Sequence, residues 1–156
     1  MKPFVLILMS IAALAKTSTA QTEAYPFKTM TCHIQAAGTS DCTGLPTLHS
    51  GVLVISKEGT FELKGYYHAC FMVDEATKYG KYQVSYLNGA IRLELLTTKT
   101  IGMSDAPDFP RTLGIVTLNR DRLDGELIDL SAALRGHSYH PENFVSLTLQ
   151  CKEVNE

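Results

Sequence analysis

The densest group of chemically capable side chains is His137-Ser138-Tyr139-His140, with Glu142 two residues further on. Two imidazoles three positions apart and a carboxylate are donors that hold zinc and related ions. A site of that kind would support metal-assisted hydrolysis. A structural zinc site wants about four ligands, and only three stand together here. Pro141 fits an exposed loop. The stretch therefore reads as a polar loop, with a metal-dependent hydrolytic enzyme using His137, His140 and Glu142 as the alternative.

Other sets of reactive residues fail on spacing or setting. Asp105 and Asp108 flank Pro107 and could pair as general acid and base, but nothing in the sequence supplies the burial that would separate their roles. Asn119, Asp121, Asp124, Gly125 and Glu126 suggest a calcium loop. Such a loop starting at Asn119 needs Asp or Asn at 123 and Gly at 124, where Leu123 and Asp124 stand. His68 and Cys70 share one face of a strand, a nucleophile arrangement in a reducing compartment. The chain has no G-x-S-x-G elbow, no phosphate-binding glycine loop and no H-E-x-x-H. The expectation is a protein without a cofactor, and the missing motifs weigh against catalysis without excluding it.

Aromatic residues give a different signal. Tyr66, Tyr67, Tyr79, Tyr82 and Tyr86 crowd one third of the chain with Phe61 and Phe71. Tyrosine has an apolar body and a polar tip, which suits a ligand cavity or an interface. Tyr66, Tyr82, Tyr86 and Phe61 are the ligand-binding candidates. The competing explanation is that Tyr is a good strand former. Ile34, Val84, Ile91, Leu93, Val145 and Leu147 are also enough to fill a small barrel.

The compartment follows from the first twenty residues. Lys2 precedes an apolar run over residues 4–14, and small residues lead to Ala20. This is the pattern of a cleaved secretory signal, too short for a transmembrane helix of about 20 residues. Cleavage after Ala20 would leave a single domain over residues 21–156. Removing Lys2 and Lys16 from the 14 basic residues leaves 12 against 16 acidic ones, a formal charge of −4. That balance opposes nucleic-acid binding and docking on anionic lipid. The mature chain is expected in a periplasm or outside the cell, with no membrane insertion.

Four cysteines behind an export signal imply two disulfides. Their spacings of 10, 28 and 81 do not suit a compact zinc motif. Cys32 falls in the first expected strand and Cys151 in the last. If the sheet closes on itself, these strands become neighbours, which pairs Cys32 with Cys151 and leaves Cys42 for Cys70. In that setting Cys70 is oxidised rather than nucleophilic.

The elements are strands. At 45% hydrophobic and 19% charged, the chain is neither disordered nor coiled-coil. Period-two alternation marks strands over residues 30–36, 51–56, 60–65, 66–73, 81–86, 91–95, 113–118, 123–130 and 144–151. A break or bulge is expected at Gly65, a turn over 74–78 and a long loop over 97–111. Asn88-Gly89 is the sequence of a type I′ hairpin turn. The one place for a short helix is 131–135. Local turns and one buried face predict an all-β antiparallel barrel of about eight strands, with a two-sheet sandwich as the alternative. The functional expectation is an exported small binding protein, for a small apolar ligand or a protein partner outside the cytoplasm gripped by the 97–111 loop. A structural envelope protein with a filled core is the alternative from outside catalysis.

Overall fold

A computed structural model of the chain describes residues 28–36, 47–69, 72–102, 111–130 and 145–154. Eight strands follow one another: β1 Met30–Ala36, β2 Thr47–Ile55, β3 Thr60–Ala69, β4 Met72–Leu87, β5 Ala90–Ile101, β6 Arg111–Asn119, β7 Asp124–Asp129 and β8 Val145–Glu153. Each pairs antiparallel with its successor, and β8 returns to β1, so the sheet is a closed barrel. The eight-stranded barrel forms and the sandwich does not. No helix occurs among the described residues. The signal segment, the 131–135 helix and the Cys42–Cys70 pairing lie outside them.

Alternation decides which side chains enter the barrel. On β1, Met30, Cys32 and Ile34 are buried while His33 and Gln35 are exposed. On β5, Ile91, Leu93 and Leu95 point inward and Glu94 outward. Leu53, Ile55, Leu63, Val116, Leu118, Leu127, Leu147 and Leu149 complete an apolar interior. The outer wall carries Glu62, Lys64, Lys81, Glu94 and Glu126.

The closing seam is covalent. Cys32 faces Cys151 directly in the β1–β8 ladder, with Cα atoms 3.9 Å apart, and the two are joined by a disulfide. A salt bridge of 3.0 Å between Lys28 and Glu153 and a bond from the Val154 N–H to the Thr29 carbonyl continue the seam.

Two expectations about strand limits are overturned. Residues 74–78 are strand, not turn: Asp74, Glu75 and Ala76 pair with Tyr67, Tyr66 and Gly65. Their polar side chains misled because both are exposed: Glu75 on the outer face, and Asp74, in the phase of Ala76 and Lys78, at the end of the barrel. Gly65 is no break either. It sits in unbroken register between Gly51 and Ala76, and its bare Cα makes room for Tyr67 and Leu48: a Cβ there would come within 2.5 Å of Leu48 Cδ1. The irregularities occur elsewhere, between Leu48 and Ser50, between Tyr79 and Gly80, and between Leu95 and Leu96. Bulges of this kind bend a strand and help a sheet to close. The loop expected from residue 97 begins later, because β5 continues to Ile101.

The two ends of the barrel differ. Tight turns at residues 56–59, 88–89 and 120–123 close one end. Asn88 and Gly89 have φ of 51° and 80°, as a type I′ turn requires. At the other end emerge the connections after Ala36, Ile101 and Asp129, and the reversal between Ala69 and Met72.

Candidate functional site

Four polar side chains interrupt the apolar interior in the half of the barrel nearer the long connections. Tyr67 on β3, Lys78 on β4, Thr97 on β5 and Asp129 on β7 are each at most 8% exposed. The alternation that fills the core also places these. Tyr67 continues the inward series Phe61, Leu63, Gly65; Lys78 shares the phase of Ala76, Gly80 and Tyr82; Thr97 follows Leu95; Asp129 follows Leu127.

Tyr67, Lys78 and Asp129 act on one another. The Tyr67 ring lies back over Gly65, and the Lys78 ammonium stands 4.6 Å from its centroid, a cation–π contact. Asp129 reaches β2 across the interior, where its Oδ2 accepts the Leu48 N–H at 3.4 Å. Burial pushes the Lys78 amine below its usual value, more strongly than the nearby Asp129 carboxylate raises it. Burial also holds the Tyr67 phenol well above its usual value, helped by the field of Asp129. Among the described residues neither the Tyr67 hydroxyl nor the Thr97 hydroxyl has a hydrogen-bond partner. A buried polar group left in that state is destabilising by about 1–3 kcal/mol, so a pair of them in one layer needs a reason.

Apolar residues border this layer. Leu48 and Leu113 are buried, and Leu130 follows Asp129 with its N–H on the Leu113 carbonyl at 2.8 Å. Outside the wall, His49 at the β2 bulge stacks on His68, with centroids 4.2 Å apart and planes 17° from parallel. The Thr47 hydroxyl donates to the His68 carbonyl at 3.4 Å.

The residues selected from sequence are scattered. Phe61 is in the core beside Gly80, and Tyr82 is buried with its hydroxyl donating to the Ser56 carbonyl at 2.6 Å. Both belong to the tight-turn half. Tyr66 is on the outer wall, 43% exposed, and Tyr86 is exposed beside the Asn88-Gly89 turn. Tyr66 is thus separated from the other three by the barrel wall. His137, His140 and Glu142 lie outside the described residues, as do Asp105 and Asp108. Among the described residues no three His, Cys, Asp or Glu side chains are grouped to hold a metal. Asn119 Oδ1 accepts the N–H groups of Asp121 and Arg122 at 2.9 and 3.1 Å, so the stretch once compared with a calcium loop is a turn.

The four residues of the layer were missed, yet a signal existed. Counting by twos from the apolar positions places 78, 97 and 129 inside, once 74–78 is taken as strand.

An open cleft of about 640 Å³ lies on the outer wall, between Asn88 and the 120–123 turn. Its charged groups engage one another or a neighbour: Arg122 contacts Asp124 at 3.5 Å, and Glu126 accepts the Ser146 hydroxyl. It offers less unmet bonding capacity than the interior layer.

Comparison with protein-family models, with curated proteins and with solved structures gave no match.

Proposed function

We propose that the chain is an exported small β-barrel binding protein that takes a small, mainly apolar ligand at the long-connection end of its interior. The observation that carries this reading is the two buried, unpartnered hydroxyls of Tyr67 and Thr97, with the Lys78 ammonium 4.6 Å from the Tyr67 ring centroid. Polar groups in a largely apolar concave site fix a ligand's orientation. Leu48, Leu113 and Leu130 supply the apolar part. Export is supported by the Cys32–Cys151 disulfide, which belongs to oxidising compartments. The charged outer wall and apolar interior are the reverse of a lipid-spanning barrel, which supports a mature chain that is not inserted in a membrane.

One observation favours a second reading, a structural protein with a filled core. Large side chains cover the small inward residues: Tyr67 lies on Gly65, Phe61 on Gly80, and Leu127 beside Gly114. That interleaving fills a small barrel without a guest.

A native mass spectrum of protein purified gently from its producing cells separates the two. Extra mass lost on denaturation supports the binding reading. A clean mass for residues 21–156 supports the cut after Ala20 and leaves the filled barrel.

A further inference from the structure

Resting on the binding reading above, we infer that the interior layer of Lys78, Tyr67 and Thr97 seats the carboxylate head of the ligand, with its apolar body toward Leu48, Leu113 and Leu130. The layer holds an ammonium and two hydroxyl groups. Among the described residues neither hydroxyl has a protein partner. An ammonium carries three donor hydrogens and no acceptor; each hydroxyl carries one donor hydrogen and can also accept, so the layer has more donors than charged acceptors. The fixed acceptor in the layer, Asp129, is already engaged with the Leu48 N–H. The Tyr67 ring face answers part of the Lys78 charge. A carboxylate supplies the missing acceptor capacity, and charge-assisted hydrogen bonds of that kind are roughly twice as strong as neutral ones.

Other heads fit less well. A cationic head would meet Lys78 as a like charge in a dry site and would compete for an Asp129 that already accepts the Leu48 N–H; a carboxylate head meets Asp129 as a like charge, which the ammonium and the two hydroxyl donors must outweigh. An alcohol could accept from the ammonium or a hydroxyl but would bring no negative charge to the site, so its hydrogen bonds would be weaker than a carboxylate's. The position of the layer matters too. Leu48 on β2 is paired with Tyr67 on β3, and Leu130 is the next residue after Asp129. Apolar contact therefore lies directly against the polar layer, which is the arrangement an amphipathic molecule needs.

The test is calorimetric titration of the oxidised mature protein with decanoate, 1-decanol and decyltrimethylammonium. Decanoate is expected to bind the most tightly. Lys78→Met should weaken decanoate roughly tenfold or more, and Tyr67→Phe and Thr97→Val, which keep the side-chain shape, several-fold each. Lys78→Met should weaken decanol far less than decanoate, and each hydroxyl deletion should cost decanol no more than the one neutral hydrogen bond it removes. The two shape-preserving variants decide the matter even if Lys78→Met does not fold. Equal affinity for decanol and decanoate, indifferent to all three substitutions, would overturn the carboxylate seat and leave a ligand-binding barrel standing. Preference for decyltrimethylammonium would overturn the seat in the same way. Binding of none of the three by the wild-type protein would overturn both the seat and the binding reading.

Discussion

The Lys78 ammonium stands over the face of the Tyr67 ring, 4.6 Å from its centroid, so a buried cation and the bulkiest of the fully buried side chains meet inside the barrel. Two neighbouring strands contribute them, Tyr67 from β3 and Lys78 from β4. Neither residue can be changed without altering the surroundings of the other.

Their titrations act on stability with opposite signs. Tyr67 keeps its proton in the folded state well above 10.0, while the unfolded chain releases it near that value. Above that pH the unfolded state binds fewer protons, so stability falls as pH rises. Lys78 is the reverse. Its folded-state value lies below 10.5, so between the two values the unfolded state binds more protons and stability rises with pH. Tyr67→Phe should therefore flatten the alkaline loss, and Lys78→Met should remove the alkaline gain. Urea midpoints from about pH 8 to about pH 11 would show this, and parallel curves for all three proteins would contradict it.

The disulfide should be a large single contributor to stability. Cys32 and Cys151 are separated by 119 positions, and loop-closure entropy puts the cross-link at about 4–5 kcal/mol, with measured bridges more often about 2–4. The double variant Cys32→Ser, Cys151→Ser should lose stability within that span and unfold at much lower urea. An unchanged midpoint would mean that the hydrogen-bonded seam alone holds the barrel shut.

Gly80 and Gly89 should respond to alanine for different reasons. A Cβ on Gly80 would come within 2.0 Å of the Leu96 carbonyl oxygen and 2.7 Å of Phe61 Cε1. Gly80→Ala must move backbone or core and should destabilise by about 1–3 kcal/mol or more. Gly89 has open space but a φ of 80°, so Gly89→Ala should lose about 1–2 kcal/mol through backbone strain alone. Equal stability of Gly80→Ala and the wild type by chemical denaturation would show that the β4–β5 approach is looser than described.

Tyr82→Phe isolates one hydrogen bond. Its hydroxyl donates to the Ser56 carbonyl at 2.6 Å, tying β4 to the β2–β3 turn. Removing the oxygen should lower stability by about 0.5–1.5 kcal/mol and speed amide exchange at residues 56–59. No change in exchange there would sever the link between this contact and the turn.

Much of the barrel was legible from residue order. Period-two alternation located the strands, Asn88-Gly89 fixed a hairpin, and placing Cys32 and Cys151 on the first and last strands of a closing sheet gave their bridge. The interior polar layer was not legible, and one stretch explains most of that. Asp74 and Glu75 look like turn residues until β3 is known to continue through Gly65 and pair with them. A break at Gly65 also leaves undecided which of two adjacent tyrosines faces inward. The continuous ladder decides it: Tyr67 enters the barrel and Tyr66 faces water. A one-residue slip exchanges the two faces of a strand, so a break expected at a single glycine left the facing of Tyr66 and Tyr67 open.

All ladders but one join strands that are consecutive in the chain; the β1–β8 seam alone joins strands from opposite ends of the sequence. If that seam parts, the barrel becomes a curled sheet with two raw edges, each exposing a row of unsatisfied backbone groups. The β8 edge of one copy fits the β1 edge of another in the native register, so seam opening leads to exchanged dimers and to open-ended polymers. Placed across that seam, the Cys32–Cys151 bond guards against self-association as well as unfolding. Reducing conditions should therefore bring turbidity that depends on protein concentration.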